Sequence, residues 1–451
     1  MMASLKELAI GNLRRAGLDE VLYTPGQETY ENRTASYWSE TARLRPWAIV
    51  QPRSADEVSQ AVKAMVETPD CKFAVRSGGH TVFPGASNIQ DGVTIDLGLM
   101  AKTSYDHDTE LASLLPGGTW TDAYQEVVNY EIVLADGSIV QANVDENSDL
   151  FRVLKGGGNN FGIVTRFDLV TFPSNEIWDA RLVCAKESTP DVVAALADFI
   201  GNLEAHPDAH ILAMWMYMPR TKYHFIMNLL TSLDGEQEAQ CLAKFLVIPG
   251  EKDAKTTTVA DKMAAFALPK SRRQTWFTLT FRNDTRIIQK AANVFEDRIE
   301  KMKAQIPDHD FHFSMVLQPL PASFGKHSAV RGGNMFGLER IKEDCVLLVW
   351  AIEVDTQELR NSVGFPTLKG GIDEIEAFAK SVNGDVGFRY LNYCDGSQDP
   401  LGSYGEENVR KMREAAERYD PAGVFQTRVP GGFKISNVTV GREGELTPTE
   451  G

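Results

Sequence analysis

Apolar residues change their spacing repeatedly along this chain, and each change marks an element. Between Ala55 and Val66 (ADEVSQAVKAMV) they recur at helical spacing, which predicts an amphipathic helix. An extended Ile49-Val50-Gln51-Pro52 segment precedes that helix, and a short strand, Phe73 to Arg76, follows it. Two adjacent glycines, Gly78 and Gly79, then turn the chain before a strand Val93 to Leu97. Val133-Leu134 and Ile139 to Ala142 flank Asp136-Gly137, a hairpin signal. Asn147 to Leu154 reads as a short helix ended by Gly156-Gly157-Gly158. Ile163 to Phe172 alternates as a strand and stops at Pro173, a candidate domain boundary.

From residue 174 the elements lengthen. Ile211 to Met218 and His224 to Leu230 read as neighbouring strands around Pro219-Arg220. Trp276 to Phe281 alternates large and small residues, and Thr285 to Met302 is a long helical pattern. Phe311 to Leu317 and Val346 to Val354 are further strands, and Gly370 to Ala379 opens another helix. This order predicts an antiparallel sheet with helices on one face. After residue 388 come Phe388 to Tyr393, Asp399-Pro400-Leu401, a helix Glu406 to Arg418, and a closing Tyr419 to Gln426. The stretch Gly441 to Gly451 is polar and reads as a frayed end.

A length of 451 residues exceeds one typical domain, so two domains are expected, or one large domain carrying an inserted unit. The net charge of −16 argues against nucleic-acid and anionic-membrane partners, which need clustered Lys and Arg. An anionic cofactor remains compatible, because backbone N–H groups bind phosphate without net positive charge. The longest apolar run, Cys345 to Ile352, falls far short of the roughly 20 residues a spanning helix needs. Met1 to Leu13 is helical in character but lacks the apolar core of a secretory signal, so a cytoplasmic location is expected. The five cysteines are scattered, with no CxxC pair, so neither zinc nor a disulfide framework is expected.

The segment richest in chemistry is Arg76-Ser77-Gly78-Gly79-His80. Adjacent glycines accept positive φ, so successive N–H groups converge into an anion-binding concavity with a histidine at its rim. Three other patterns are weaker. Asp308-His309-Asp310-Phe311-His312 would align Asp308, Asp310 and His312 on one strand face, yet a polar strand edge explains it more simply, and no metal is expected. Pro207 lies between His206 and His210 and argues against a helical ligand pair. Gly156 to Gly158 lacks the following Gly-Lys-Ser/Thr of a nucleoside triphosphatase loop.

Five blocks, in order and at their spacing, resemble the flavin-dependent oxidases of the berberine-bridge-enzyme type, of the vanillyl-alcohol-oxidase-like superfamily, and most closely their fungal secondary-metabolite branch. They are Ile49 to Pro52; Phe73 to His80 with Pro84 to Asn88; Lys155 to Thr165 (KGGGNNFGIVT); Tyr390 to Tyr393; and Tyr419 to Phe433 (YDPAGVFQTRVPGGF). The resemblance implies an α+β chain. An FAD-binding domain with mixed sheets would be formed by both chain ends, residues 1–173 and 388–436. A substrate domain, residues 174–387, would be inserted between them and would carry an antiparallel sheet covered by helices, and residues 437–451 would be a flexible tail. It implies FAD bound covalently through His80, with the backbone of Arg76, Ser77, Gly78, Gly79, His80 and Thr81 around the pyrophosphate. Gly162, Ile163 and Val164 would lie along the adenosine part, and Asn392 near the ring. Tyr390 or Tyr393 would be the catalytic base for a small organic substrate, with molecular oxygen as acceptor. If both tyrosines lie on one strand they point to opposite faces, and Tyr390 shares a face with Asn392.

One departure from the family stands out. The block Pro116 to Tyr124 is normally followed by a long glycine-rich stretch before the block seen here as Val128 to Glu131, but here Glu126 joins Val127 almost directly. Something on the order of 40 residues is absent, a large part of one ~150-residue domain. A subset of the family places a second covalent link in that stretch through cysteine. No cysteine lies between Cys71 and Cys184, so a bicovalent flavin is excluded. Two readings stay open. The chain is a splice form or gene-model product missing an exon, with impaired flavin binding, or a shortened member with a redox-silent binding or cyclase role.

Overall fold

The computed structural model describes residues 4–118, 126–171, 176–221, 223–265, 272–330 and 332–439. The boundary expected at Pro173, residues Thr119 to Tyr124 of the block before the missing stretch, and the tail from Gly441 lie outside the described residues. The architecture is α+β, built on three sheets.

The first sheet contains β1 (Leu22–Tyr23), β2 (Ala48–Val50), β3 (Phe73–Arg76) and β4 (Val93–Asp96) in the order β1-β2-β4-β3. β2, β4 and β3 run parallel, and β1 closes the edge antiparallel. The helix Ala55–Val66 connects β2 to β3. Ser54 caps it, its hydroxyl accepting from the Glu57 N–H at 3.2 Å, and Val58, Ala61, Val62 and Met65 are buried beneath it.

The second sheet is antiparallel: β5 (Thr103–Asp106), β6 (Leu111–Leu114), β7 (Glu126–Val133), β8 (Ile139–Asn143) and β9 (Ile163–Val170), ordered β5-β6-β9-β7-β8. The expected β7–β8 hairpin turns at Asp136-Gly137, where Gly137 takes φ +78°.

The third sheet has seven antiparallel strands: β10 (Ile177–Ala185), β11 (Ala209–Met218), β12 (Tyr223–Ser232), β13 (Glu251–Thr257), β14 (Arg273–Arg282), β15 (Phe311–Leu320) and β16 (Cys345–Val354). Their order is β13-β10-β12-β11-β15-β16-β14. Strict alternation assigns the two faces. On β15, Phe311, Phe313, Met315 and Leu317 are buried, while His312, Ser314, Val316 and Gln318 are half-exposed on the opposite side. The buried face packs on helices Thr189–Gly201, Thr285–Gln305 and Phe365–Ser381 through Phe199, Ile288, Phe295 and Leu368. The last helix begins five residues earlier than the glycines predicted, so Gly370 and Gly371 lie inside it. The reason is close packing: a Cβ on Gly371 would stand 2.2 Å from the Trp350 ring.

The chain's two ends interlock. Val424, Phe425 and Val429 fill the core beside Phe73 and Val93. Asp420 fixes that turn, accepting from the N–H groups of Val424 and Phe425 at 2.8 and 2.7 Å. Arg428 donates to the carbonyls of Thr68 and Cys71, and its own carbonyl accepts from the Phe73 N–H. Gly431 approaches Gly85 so closely that a Cβ would lie 1.7 Å from the Gly85 carbonyl oxygen. A further core joins Tyr130, Phe151 and Phe161 to Phe388, Tyr404 and Met412. Among the described residues no helix is long and apolar enough to cross a membrane.

Candidate active site

β3 delivers the loop Ser77–Thr81, and what lies beneath the loop sets its shape. The Arg76 side chain turns inward. It stacks on the Tyr37 ring with its guanidinium carbon 3.7 Å from the centroid, and donates to the Arg33 carbonyl at 2.8 Å and to Ser36 Oγ at 2.9 Å. Asp96, its partner in the β3–β4 register, lies 3.7 Å away and accepts two bonds from Arg33, both 2.7 Å. Burial holds the Arg76 guanidinium below its ordinary pKa. The arginine named with the cradle is therefore its buried prop, and only its backbone faces the loop.

Gly79 takes φ +68°, and a Cβ there would meet Arg76 Nε at 2.9 Å and the Tyr37 ring at 3.2 Å. Gly78 is the opposite case: a Cβ would find no atom within 4 Å. Among the described residues, none accepts from the N–H of Gly78 or Gly79. Two adjacent amides without an acceptor, Gly78 exposed and Gly79 buried, with Ser77, His80 and Thr81 exposed around them, fit the pyrophosphate of a dinucleotide.

His80 reaches solvent at the rim of this loop. Trp38 stacks on its ring at 4.9 Å and an interplanar angle of 13°, and Trp276 of β14 meets it at 6.2 Å near the perpendicular. Partial burial beside these rings holds the imidazole below its ordinary pKa. Trp276 also meets the Tyr393 ring at 6.1 Å, and Tyr393 meets Tyr390 at 5.0 Å and 86°. Rings from three separate chain regions thus form one continuous wall.

The tyrosine block departs from the expected strand. Leu391–Tyr393 is one 3-10 turn entered from Tyr390, whose carbonyl accepts from the Tyr393 N–H at 2.9 Å. With three residues per turn, positions 390 and 393 eclipse rather than oppose, so both phenols lie on one side. Each phenol oxygen accepts from a carboxamide: Asn392 Nδ2 donates to Tyr390 at 2.9 Å, and Gln318 Nε2 to Tyr393 at 3.1 Å. Burial raises the Tyr390 pKa, with the nearby Tyr393 adding to it and the Asn392 bond opposing it.

Asn392 and Leu391 also line an open cavity of about 450 Å³, together with Gly156, Gly158, Phe336 and Tyr130. Val127, at the junction with the missing stretch, lines it too. At Gly162 a Cβ would stand 2.6 Å from the Val133 carbonyl oxygen. Ile163 and Val164 open β9, with Ile163 buried in the core of the first sheet and Val164 packed against another. The structure records no hydrogen bond or ring contact from these three to the His80 loop. Asp310 sits between Arg220 and Arg272, at 3.3 and 3.4 Å, in an ion-pair cluster at the strand edge.

Trp38, Phe336 and Lys434 escaped the sequence reading. Lys434 follows the Gly431-Gly432-Phe433 turn and is buried, donating to Asn159 O and Oδ1 at 3.0 Å each. Burial lowers its pKa to about 7, against an opposing effect of Asp420. No local pattern marks a buried lysine.

A profile of the FAD binding domain matches residues 46–142. The chain is 33% identical to the FAD-dependent monooxygenase drtC of Aspergillus calidoustus, over 96% of this chain and 91% of that protein. That match extends over 481 positions, more than the 451 residues present here, so the relative holds residues with no counterpart in this chain. Among solved structures, a chitooligosaccharide oxidase superposes with a TM-score of 0.72 at 16% identity, over 95% of this chain and 100% of that one. The glucooligosaccharide oxidase of Acremonium strictum, which carries a 6-S-cysteinyl, 8α-N1-histidyl FAD, gives 0.71 at 16% identity, over 95% and 99%. These two share the fold. With the identity to drtC spanning nearly its whole length, the chain belongs to the family of FAD-dependent monooxygenases that includes drtC, and it carries their FAD binding domain.

Proposed function

We propose that this chain oxidises a small organic molecule, with FAD held by both chain ends, residues 1–173 and 388–436, and the substrate admitted by the inserted residues 174–387. The observation that carries this reading is the ring wall from His80 through Trp276 to Tyr393 and Tyr390. It gathers an attachment nucleophile, a substrate-sheet residue and two acid–base groups at one place. Bound FAD supplies a two-electron acceptor that takes hydride from a substrate carbon and passes the electrons to oxygen.

The chain's own residues divide the remaining work. The Gly78 and Gly79 amides would hold the diphosphate, and His80 would carry the flavin, as a histidine does in the glucooligosaccharide oxidase with its 8α-N1-histidyl FAD. Gly162, Ile163 and Val164 offer backbone to the adenosine end. A phenol of the Tyr390–Tyr393 pair removes the substrate proton. The Asn392 or Gln318 N–H stabilises the phenolate that would have to form first.

The test is flavin retention. Purified wild-type protein is expected to stay yellow after denaturation, and His80→Ala to lose that colour. A variant that keeps flavin in denaturant would overturn the assignment of His80. Tyr390→Phe and Tyr393→Phe should retain flavin but turn over slowly. A second reading is favoured by the relatives' extra residues: a redox-silent binding or cyclase protein. Colourless wild-type protein after growth with excess riboflavin would select it.

A further inference from the structure

The seven-stranded sheet has a second face, which the helices do not cover. Cross-strand register shows what lines it. Trp276 pairs with Ala351, Ala351 with Ser314, Ser314 with Met216 and Met216 with Phe225. One row over, Val349 pairs with Val316, Val316 with Met214, Met214 with Met227 and Met227 with Val183. Met214, Met216, Phe225, Met227, Val316 and Val183 are all half-exposed, whereas their strand neighbours on the helix side, such as Trp215, Met315 and Ile226, are buried. The surface is thus a continuous apolar stripe rather than scattered exposed residues.

The stripe is continuous with the candidate site. Its first row begins at Trp276, which contacts both His80 and Tyr393. Gln318, on the same face of β15, donates to Tyr393. From Trp276 to Phe225 the row crosses four strand spacings, a span of roughly 19 Å. From Trp276 to Phe225 and from Val349 to Val183 the rows carry no charged side chain and one hydroxyl, that of Ser314, and Glu251 of β13 pairs with Val183 at the far end of the second. An oligosaccharide presents hydroxyls along its whole length, and along these two rows Ser314 alone could pair with them. Three methionines instead give a polarisable, adaptable wall suited to an irregular hydrocarbon or aromatic skeleton.

We infer that the substrate is a largely apolar, extended small molecule rather than a saccharide. Its oxidisable polar end would lie at the tyrosine pair and its hydrocarbon body along the Met214, Met216 and Met227 stripe. This rests on the oxidase reading for where the polar end lies, but the binding itself can be read without flavin or turnover.

The probe is N-phenyl-1-naphthylamine, a neutral aromatic that fluoresces on leaving water. Wild-type protein is expected to bind it saturably, with xylobiose unable to displace it. Met214→Glu should weaken binding at least tenfold, and the milder Met214→Ala, which buries no charge, about fivefold. Val247→Lys, on a residue 79% exposed outside the stripe, should leave it unchanged. Each variant is checked for native circular dichroism. Unchanged affinity in Met214→Ala, or displacement by xylobiose, would overturn the inference. So would a dimer in sedimentation whose dissociation is needed before the probe binds, because a second copy would then cover the face. Probe binding in a colourless protein would sink the oxidase reading and leave this one standing. Normal flavin retention with no stripe dependence would do the reverse.

Discussion

Replacing Asp96 by Ala removes the carboxylate under the loop that carries His80. Arg33 Nε and Nη2 donate to it at 2.7 Å each, the Gly98 N–H at 3.0 Å, and Arg76 Nη1 stands 3.7 Å away. The Asp96 and Arg76 side chains are 1% and 4% exposed, so the variant leaves buried positive charge without its counter-charge. Breaking a buried pair from one side costs about 3–5 kcal/mol. Arg33 is 28% exposed and can partly rehydrate, and Arg76 keeps Ser36, the Arg33 carbonyl and the Tyr37 face. The expected loss is therefore near the lower end, about 3 kcal/mol. Asp96→Asn keeps shape and an acceptor for Gly98, and should cost about 2 kcal/mol. Urea unfolding gives the global loss, and hydrogen exchange on peptides spanning residues 73–80 locates it. A chain of this size need not unfold in one step, so the local measurement carries more weight. Wild-type exchange in that segment, with a stability change within about 0.5 kcal/mol, would refute the role given to Asp96.

Gly79→Ala should destabilise by about 2–4 kcal/mol, from left-handed backbone strain plus overpacking on Arg76 and Tyr37. Gly78→Ala should cost little stability yet reduce flavin retention, because its methyl group enters the open side of the cradle; thermal unfolding and bound-flavin absorbance separate the two. The Lys434 pKa, lowered to about 7 when folded against an unfolded value of 10.5, gives a signed pH effect. Between those values the unfolded chain binds more protons, so stability rises with pH, by up to about 1.4 kcal/mol per unit. Lys434→Met should flatten that slope in urea midpoints measured between pH 7 and 10, and an unaltered slope would contradict burial as its cause. Trp38→Ala should raise the His80 pKa toward the ordinary histidine value by readmitting water, as read from the imidazole proton resonance; a fall would show that stacking is not what depresses it.

Particular elements show what was legible. The helix Ala55–Val66, strand β3 and the β7–β8 hairpin follow from local spacing, a Ser54 cap and an Asp-Gly turn, all written within a few residues. The tyrosine block failed for a local reason: four residues rich in aromatics suit a strand or a 3-10 turn equally, and the packing of Tyr390 on Tyr393 and Phe336 selects the turn. The glycines of the helix Phe365–Ser381 read as a start because the reason for Gly371, contact with Trp350, lies 21 residues away along the chain.

By itself the sequence determined the family and the three groups of elements, and it pointed to Gly78-Gly79 with His80 and to the junction at Glu126 as the places to look. These are local or ordered features that survive without coordinates. Tertiary structure alone decided that Arg76 props the loop from beneath, that Trp38 and Trp276 flank His80, and that both phenols share one side. It also decided that an apolar stripe runs out from the tyrosines. Each of these depends on side chains brought together from distant segments, and their pairing is set by sheet register and core packing, which no single stretch of sequence encodes.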